Sequence, residues 1–352
     1  MTTRDTAAAT TAAATAAAAT AAATTATAAA TATTRTVISD GVRLACTDYG
    51  GTGRPVLLLH GLAGHTAEWD SLAWLLLPAH RVVAYDARGH GASDRHPTDV
   101  SRAAHVRDVV AVAGQLALDR PVLVGQSFGG LTALLAAAAH PDLAEALGPV
   151  RPIFAGPRRL ARHLAALSES SKYVQYEDDP PPCDAPHQTP RAGPRRSTGQ
   201  DLVLVEAGPR GPDPELPAKI GAWLDSWPVP FASADTATEF FGGGPAGRAW
   251  AAGLAEHPDG LRPRVDRDVM VACVAENAER SFWTEWDRVR CPALVVRGDA
   301  GWMPETEADE MRVRHPGTDV RVVPAAGHDV HLDQPRALHD AITEFLGQRN
   351  AG

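Results

Sequence analysis

The serine at position 127 lies in a sequence pattern that prepares a hydroxyl group for nucleophilic attack. The residues Gly125-Gln126-Ser127-Phe128-Gly129 fit G-x-S-x-G and stand between an apolar run ending at Val124 and an Ala/Leu-rich stretch. A sharp turn from a strand into a helix exposes the central side chain of this pattern, and the small residues beside it let the backbones pass. The amino terminus of the following helix adds partial positive charge where an oxyanion would form. Ser127 is therefore the predicted nucleophile.

A histidine near the carboxyl terminus is the predicted base for this serine. Gly327-His328-Asp329 follows an apolar run that ends at Val323, which places His328 at the same end of a parallel sheet as Ser127. A serine that attacks at neutral pH needs a neighbour that takes its proton, and histidine is the residue type best suited to this task. His331 lies three residues further on. Because no carboxylate–histidine motif accompanies the two histidines, the sequence predicts no metal site.

Two backbone amides are the candidates for an oxyanion hole. His60-Gly61-Leu62-Ala63-Gly64 follows the apolar run 56–59, and its glycines free a backbone N–H to point into a pocket. We predict the amide of Leu62 as one donor and the amide of Phe128 as the other. A donor of this kind typically contributes about 3 kcal/mol of transition-state stabilisation.

The elements that must position these residues follow an alternating pattern. Short apolar runs alternate with stretches of helical periodicity, which is typical of strands joined by crossover helices around a mostly parallel sheet. The sequence therefore predicts an α/β fold with a mostly parallel central sheet and flanking helices. The predicted strands are 42–49, 56–60, 81–86, 121–125, 202–205, 293–297 and 320–323, and the predicted helices are 68–77, 98–118, 129–139 and 335–346.

Three stretches depart from this alternation. Residues 1–35 are almost entirely Ala and Thr and are predicted to be a disordered tail rather than a signal peptide. Residues 142–200 are rich in Pro and Arg and are predicted to be a poorly ordered insertion that catalysis does not need. Residues 209–287 carry patches of Trp and Phe and are predicted to form a helical cap over the carboxyl ends of the strands. The α/β domain would then comprise 36–141 and 201–352.

Composition excludes several classes of function. The formal net charge of -9 argues against a nucleic-acid partner, and the longest apolar runs are too short to span a bilayer. The four cysteines form no C-x-x-C pair, which favours a reducing, cytoplasmic compartment over a disulfide framework or a zinc knuckle. The predicted partner is a small-molecule substrate, and no cofactor is implied.

Taken in order, these motifs resemble those of the α/β-hydrolase superfamily, specifically its single-domain, serine esterase-like branch. The resemblance rests on His60-Gly61, on the run Asp86 to Asp94, on the G-x-S-x-G pattern at 125–129 and on Gly327-His328. It covers about residues 37–346, apart from 142–200. The resemblance implies that Asp86 and the run from Arg88 to Asp94 are structural and shape the floor of the pocket.

The third member of a catalytic triad is where the sequence departs from the family pattern. In the family the acid commonly lies a few residues beyond the strand matching 293–297, where this chain has Gly301 and Trp302. Asp299 is available but stands directly after the strand, and Glu206 follows the neighbouring predicted strand 202–205. Either carboxylate could accept the Nδ1–H of His328 and set its tautomer. Both remain candidates, and Glu206 is slightly preferred.

The leading functional hypothesis is hydrolysis of an ester or a related acyl compound through an acyl-enzyme. Hydrolysis of a carbon–carbon bond and cofactor-free perhydrolysis are alternatives that use the same three residues. Epoxide and haloalkane hydrolysis are disfavoured because the elbow carries a serine rather than an aspartate. A ligand-binding protein that keeps the fold without turnover is the alternative from a different class.

Overall fold

A mostly parallel sheet runs through the described residues of the computed structural model, which are 32–141, 143 and 200–350. Its strands are β1 (Thr33–Ser39), β2 (Val42–Gly50), β3 (Arg54–Leu59), β4 (His80–Tyr85), β5 (Val122–Gln126), β6 (Asp201–Val205), β9 (Ala293–Gly298) and β10 (Thr318–Val323). The described part of the sheet has the order β1-β2-β4-β3-β5-β6-β9-β10. β2 pairs antiparallel with β1 and β4, whereas all pairs from β4 to β10 are parallel. A separate hairpin joins β7 (Ala255–His257) and β8 (Gly260–Arg262).

Helices cover both faces of this sheet. The helices are α1 (Asp70–Leu76), α2 (Arg102–Gln115), α3 (Ser127–Ala139), α4 (Leu216–Asp225), α5 (Ala234–Phe240), α6 (Gly244–Ala252), α7 (Arg267–Cys273), α8 (Ala275–Glu279), α9 (Trp283–Trp286), α10 (Glu305–Arg314), α11 (Val330–Asp333) and α12 (Pro335–Asn350). α2 and α3 pack on one face, and α1 and α12 pack on the other. The predicted fold class is therefore confirmed.

The central strands are apolar at nearly every position because both of their faces are covered. Successive residues of β3 point to opposite sides: Leu57 belongs to the apolar core under α2 and α3, and Leu58 belongs to the core under α1 and α12. Leu204 and Val205 of β6 divide in the same way. This burial holds the carboxyl ends of the parallel strands, where the candidate residues lie, in fixed register.

The predicted boundary of the amino-terminal tail at residue 35 is wrong by three residues. Thr33, Thr34 and Arg35 belong to β1, where Thr33 pairs with Asp48 and Arg35 pairs with Cys46. These side chains are exposed and polar, so no apolar pattern predicted the strand. Edge pairing uses backbone groups and needs no apolar side chain. The remainder of the predicted tail lies outside the described residues.

The predicted cap forms from α4 to α8 together with the β7–β8 hairpin, whereas α9 packs against α3 in the core of the sheet domain. The apolar cap residues Val265 and Met270 pack against Phe128, with Leu62 at the edge of the same cluster. Phe128 and Leu62 follow the carboxyl ends of β5 and β3. The cap therefore lies over the end of the sheet that carries the predicted nucleophile.

The boundaries predicted for the insertion at 142–200 need correction at both ends. Leu143 is fully buried in the core under α2 and α3, and Gln200 is also buried. The side-chain amide of Gln200, in the orientation that satisfies its nitrogen, donates to the carbonyls of His140 and Pro141 at 3.3 Å each. The two ends of the segment therefore meet. Residues 142 and 144–199 lie outside the described residues.

Because these ends meet, residues 144–199 should be replaceable by a short Gly/Ser linker between Leu143 and Gln200. The junction lies between the carboxyl end of α3 and the amino end of β6, at the edge of the sheet opposite Ser127. We expect the shortened protein to fold and to keep its kcat at saturating substrate, because parallel α/β sheets place their sites at the carboxyl ends of the strands. Circular dichroism and steady-state kinetics measure both. A folded but inactive protein would show that the segment contributes to the site.

Across the ranges 32–141 and 200–350, no helix is both long enough and apolar enough to cross a membrane.

Candidate active site

Ser127 occupies a strained turn between β5 and α3. Its backbone φ is +50°, a left-handed conformation that is uncommon for a residue with a side chain. A Cβ on Gly125 would lie 2.4 Å from the carbonyl oxygen of Gly129, and a Cβ on Gly129 would lie 2.4 Å from the carbonyl oxygen of Leu59. The two glycines are therefore required for the close passage of backbones on which the G-x-S-x-G prediction rests. α3 begins at Ser127 itself, two residues earlier than predicted.

The two amides predicted for the oxyanion hole lie on either side of this turn. A Cβ on Gly61 would lie 2.2 Å from Gln126 Oε1 and 3.7 Å from the Cβ of Ser127, so the loop after β3 touches the elbow directly. Within the part of the chain that the structure describes, neither Leu62 N nor Phe128 N donates a hydrogen bond. Phe128 lies in the first turn of α3, where backbone N–H groups have no partner within the helix. Neither predicted donor is therefore engaged by another group among the described residues.

His328 faces Glu206. The distance from His328 Nδ1 to Glu206 Oε2 is 3.5 Å, and the Glu206 side chain is completely buried. Gln126, next to the nucleophile, donates from Nε2 to the carbonyl oxygen of His328 at 3.1 Å. This bond ties the histidine loop to the elbow. Ser127 Oγ forms no hydrogen bond in the described part of the chain, as is common for catalytic hydroxyls when no substrate is bound.

The Glu206 carboxylate is held by the loop after β9. Oε1 accepts a hydrogen bond from Gly298 N at 2.8 Å, and Oε2 accepts from Trp302 N at 2.6 Å and from Met303 N at 3.0 Å. Burial acts to raise the pKa of Glu206, but the hydrogen bonds from His328 and from these amides outweigh it and hold the pKa below its ordinary value. Glu206 is therefore a fixed, ionised acceptor at neutral pH.

Asp299 points away from His328. Its Oδ1 accepts a hydrogen bond from Ala326 N at 3.2 Å, and the residue is exposed. Hydrogen bonds from the amides of Ala325 and Ala326 lower its pKa. Of the two candidate acids, the structure brings Glu206 to His328 and directs Asp299 to the loop after β10.

A glycine makes room for this arrangement. A Cβ on Gly301 would lie 2.1 Å from Glu206 Oε1 and 2.3 Å from its Cδ. In the family pattern this loop commonly carries the acid itself. Here its backbone surrounds an acid that comes from the neighbouring strand, which explains why the expected carboxylate position holds a glycine.

The contacts of two tryptophans near His328 were not predicted from the sequence. Trp302 stacks on the imidazole with ring centroids 3.9 Å apart and an interplanar angle of 14°. Trp250 of the cap donates from Nε1 to Asp329 Oδ2 at 2.9 Å, and Gln126 Nε2 lies 3.3 Å from the other oxygen of Asp329. Asp329 therefore links the cap, the elbow and the histidine loop. No spacing in the sequence signals a contact between residues 79 positions apart.

His331 is a buried packing residue beneath the loop after β3. Its ring packs against Trp69 at a tilt of 35° with centroids 4.4 Å apart, and its Nε2 lies 3.6 Å from Glu68 Oε2. Burial acts to raise the pKa of Glu68, but His331 and His65 offset this effect and lower it. Across the described ranges, no group of three or more His, Cys, Asp or Glu side chains is arranged to hold a metal ion.

The run from Asp86 to Asp94 lies beneath the site as a network of buried polar contacts. Asp86 accepts hydrogen bonds from Thr66 N and Ala92 N at 2.7 Å each. Arg88 forms a buried, two-pronged pair with Asp108, at 2.7 Å and 2.6 Å. These residues support the loops after β3 and β4, as the resemblance implied.

Comparison with known proteins places this geometry in a family. The family model described as the alpha/beta hydrolase fold matches residues 54–182. The sn-1-specific diacylglycerol lipase ABHD11 of Mus musculus is 28% identical over 83% of this chain and 80% of its own length. The 2-(acetamidomethylene)succinate hydrolase of Mesorhizobium japonicum is 27% identical over 84% of this chain and 89% of its own length.

Solved structures agree with this assignment at the level of the fold. The crystal structure of an E-2-(acetamidomethylene)succinate hydrolase matches with a TM-score of 0.68 and 21% identity, covering 90% of this chain and 99% of that one. A thermophilic esterase from Thermogutta terrifontis matches with a TM-score of 0.60 and 22% identity, covering 90% of this chain and 98% of that one. The family and the names of the relatives support a hydrolase activity. The chain belongs to the α/β-hydrolase superfamily.

Proposed function

We propose that this protein is a serine hydrolase that cleaves an ester or a related acyl compound through an acyl-enzyme. The observation that carries the proposal is the arrangement at the carboxyl edge of the sheet. Ser127 stands on a strained turn at the amino terminus of α3, and His328 presents Nδ1 to the buried carboxylate of Glu206. Nucleophile, orienting acid and base thus follow β5, β6 and β10, which lie in the run β5-β6-β9-β10 of the sheet.

The proposed reaction proceeds in two halves. Ser127 Oγ attacks the carbonyl carbon while His328 Nε2 takes its proton, and the amides of Leu62 and Phe128 stabilise the oxyanion. Collapse of the tetrahedral intermediate breaks the bond to the leaving alcohol, which receives the proton from His328. Water then attacks the acyl-enzyme with His328 again as the base, releasing the acid and restoring the serine. Glu206 holds the imidazole in the required tautomer throughout.

The substrate is proposed to be a small acyl compound. A cavity of about 250 Å³ lies in the cap region, lined by apolar residues such as Leu224 and Trp227 and also by Arg95, Arg262 and Arg267. A narrow cleft that shares Trp227 and Val265 with this cavity reaches Gly64 on the oxyanion loop. A cavity of this size suits a small molecule, and its walls combine apolar side chains with arginines.

The proposed setting is a reducing, cytoplasmic compartment, with no nucleic-acid partner. Cys46, Cys273 and Cys291 are buried, and within the described ranges they form no disulfide. The net charge of -9 disfavours binding to a polyanion.

A fluorophosphonate probe tests the chemistry. The probe should label the wild-type protein at one site, and mass spectrometry of the labelled peptide should place the adduct on Ser127. With p-nitrophenyl esters of increasing chain length, we expect a burst of p-nitrophenol and the highest kcat/KM for short chains. Absence of both labelling and turnover would favour a ligand-binding protein. Labelling without ester turnover would favour carbon–carbon hydrolysis or perhydrolysis, which use the same residues.

Replacement of Gly301 by alanine should weaken catalysis through Glu206. The new Cβ would overlap the carboxylate, so the carboxylate must move away from its amide donors and from His328. Moving a catalytic group by about 1 Å costs about 100-fold in kcat. Gly347→Ala is the matched control, since a Cβ there meets no atom within 4 Å in exposed helix α12. Equal kcat for both variants would contradict the role given to Glu206.

A further inference from the structure

A buried arginine lies directly behind the nucleophile elbow. Arg102, the first residue of α2, is only 3% exposed. Its Nη1 donates to the carbonyl oxygen of Phe128 at 3.3 Å, and its Cζ lies 4.0 Å from the centroid of the Phe128 ring. The guanidinium therefore contacts both the backbone and the side chain of the residue whose amide is proposed as an oxyanion donor.

The same side chain reaches the cap. Arg102 Nε and Nη2 donate to Asn277 Oδ1 at 3.1 Å and 2.7 Å, and the backbone N of Arg102 donates to Glu276 Oε2 at 3.0 Å. Asn277 and Glu276 belong to α8. One buried side chain thus joins the elbow to the cap.

The charge of this arginine is only weakly compensated. Burial lowers the pKa of Arg102 to about 10, so it remains a cation at neutral pH. In the described ranges its guanidinium forms no ion pair with a carboxylate; its hydrogen-bond acceptors are the neutral oxygens of Phe128 and Asn277. The Glu276 carboxylate is close enough to raise the pKa of Arg102, but it binds the backbone N and not the guanidinium. A buried cation without a direct ion pair costs stability. A loss of folding stability of this kind is expected where a buried positive charge stabilises a transition state.

The neighbouring histidines do not supply this charge. The rings of His90 and His105 lie near Phe128, with centroids 6.0 Å and 4.8 Å from its ring. Burial lowers the pKa of His90 to about 3 and holds the pKa of His105 well below its ordinary value, so both rings are neutral. Arg102 is the cation next to Phe128 in this buried cluster.

We propose that Arg102 is a positioning residue of the oxyanion hole: it fixes the backbone of Phe128 by a hydrogen bond, places a positive charge behind the developing oxyanion, and does so while docked to Asn277 of the cap. The inference rests on the proposed function. The charge stabilises the oxyanion more than the neutral substrate. Removing it should therefore lower kcat and leave KM nearly unchanged.

Arg102→Met and Arg102→Lys test the inference. Arg102→Met keeps the buried stem and removes the charge, and we expect kcat for a p-nitrophenyl ester to fall by about 10-fold to 100-fold with KM nearly unchanged. Affinity for an alkylboronic acid, which forms a tetrahedral anionic adduct with the serine, should fall by a similar factor. Arg102→Lys, which keeps the charge but not the two-pronged geometry, should lie between Arg102→Met and the wild type on both measurements.

Arg107→Met is the matched control, since Arg107 lies on the same helix with its side chain 46% exposed and paired with Asp40 and Asp99. It should leave kcat and boronate affinity unchanged. An Arg102→Met protein with a lower melting temperature but with wild-type kcat and boronate affinity would overturn the proposal and leave Arg102 as a structural anchor. If Arg102→Met does not fold, wild-type kcat and boronate affinity for Arg102→Gln, which also removes the charge, overturn it equally. A wild-type protein that neither labels with fluorophosphonate nor binds the boronate refutes the proposed function instead.

Discussion

Ser127→Ala is expected to reduce kcat for an activated ester by about 10⁴-fold to 10⁶-fold and to abolish covalent labelling by a fluorophosphonate. The reason is that Ser127 is the proposed nucleophile, held on the strained turn at φ +50° between β5 and α3. Alanine accepts the turn no worse than serine does. The fold should therefore stay intact, and the loss should be one of chemistry alone.

The measurement combines kinetics, labelling and a melting curve on the same preparation. Ser226→Ala is a suitable control, because Ser226 is an exposed cap residue whose Oγ donates only to the carbonyl of Trp223. It should label and turn over like the wild type. Retained labelling in Ser127→Ala would show that the nucleophile lies elsewhere.

Glu206→Gln is expected to reduce kcat by about 10²-fold to 10⁴-fold. A neutral amide cannot offset the charge of the imidazolium, and its NH₂ group can hold His328 in the wrong tautomer. In the wild type, the backbone amides of Gly298, Trp302 and Met303 all donate to the carboxylate. The substitution places an NH₂ donor among these amides. Some loss of stability should therefore accompany the loss of activity, and thermal unfolding separates the two effects.

Asp299→Asn is the matched variant, and it should cost far less activity. Its carboxylate is exposed and accepts a hydrogen bond from Ala326 N, with no contact to His328 among the described residues. If Asp299→Asn proved the more damaging change, the acid would stand after β9, in the commoner family arrangement. Equal and small losses in both variants would favour the ligand-binding alternative.

The nucleophile elbow could be predicted because its requirements are local. Gly125 and Gly129 flank Ser127 within five residues, and their lack of side chains is what lets strand, turn and helix pass within contact distance. The central strands could be predicted for a similar reason, since a strand that is buried on both faces is apolar at nearly every position. Strand β1 and helix α10 carry mostly exposed polar residues and could not be predicted.

The partner of His328 could not be chosen from the sequence. Glu206 and His328 are 122 positions apart, and two strand ends offered a carboxylate. The path of the loop from Gly298 to Met303 decides between them, because its amides surround Glu206 while its start turns Asp299 outward. That path depends on how β6, β9 and β10 pack side by side.

The sequence by itself therefore determined the fold class, the predicted nucleophile and the predicted base, because each is marked by a short run of residues whose physical requirements are met within that run. Only the tertiary structure decided what surrounds them. The stacking of Trp302 on His328, the bond from Trp250 to Asp329 and the reach of Arg102 from Phe128 to Asn277 all join distant segments. Such contacts depend on the packing of the cap against the sheet, and hydrophobic periodicity along a chain reports that a residue is buried without reporting which residue it meets.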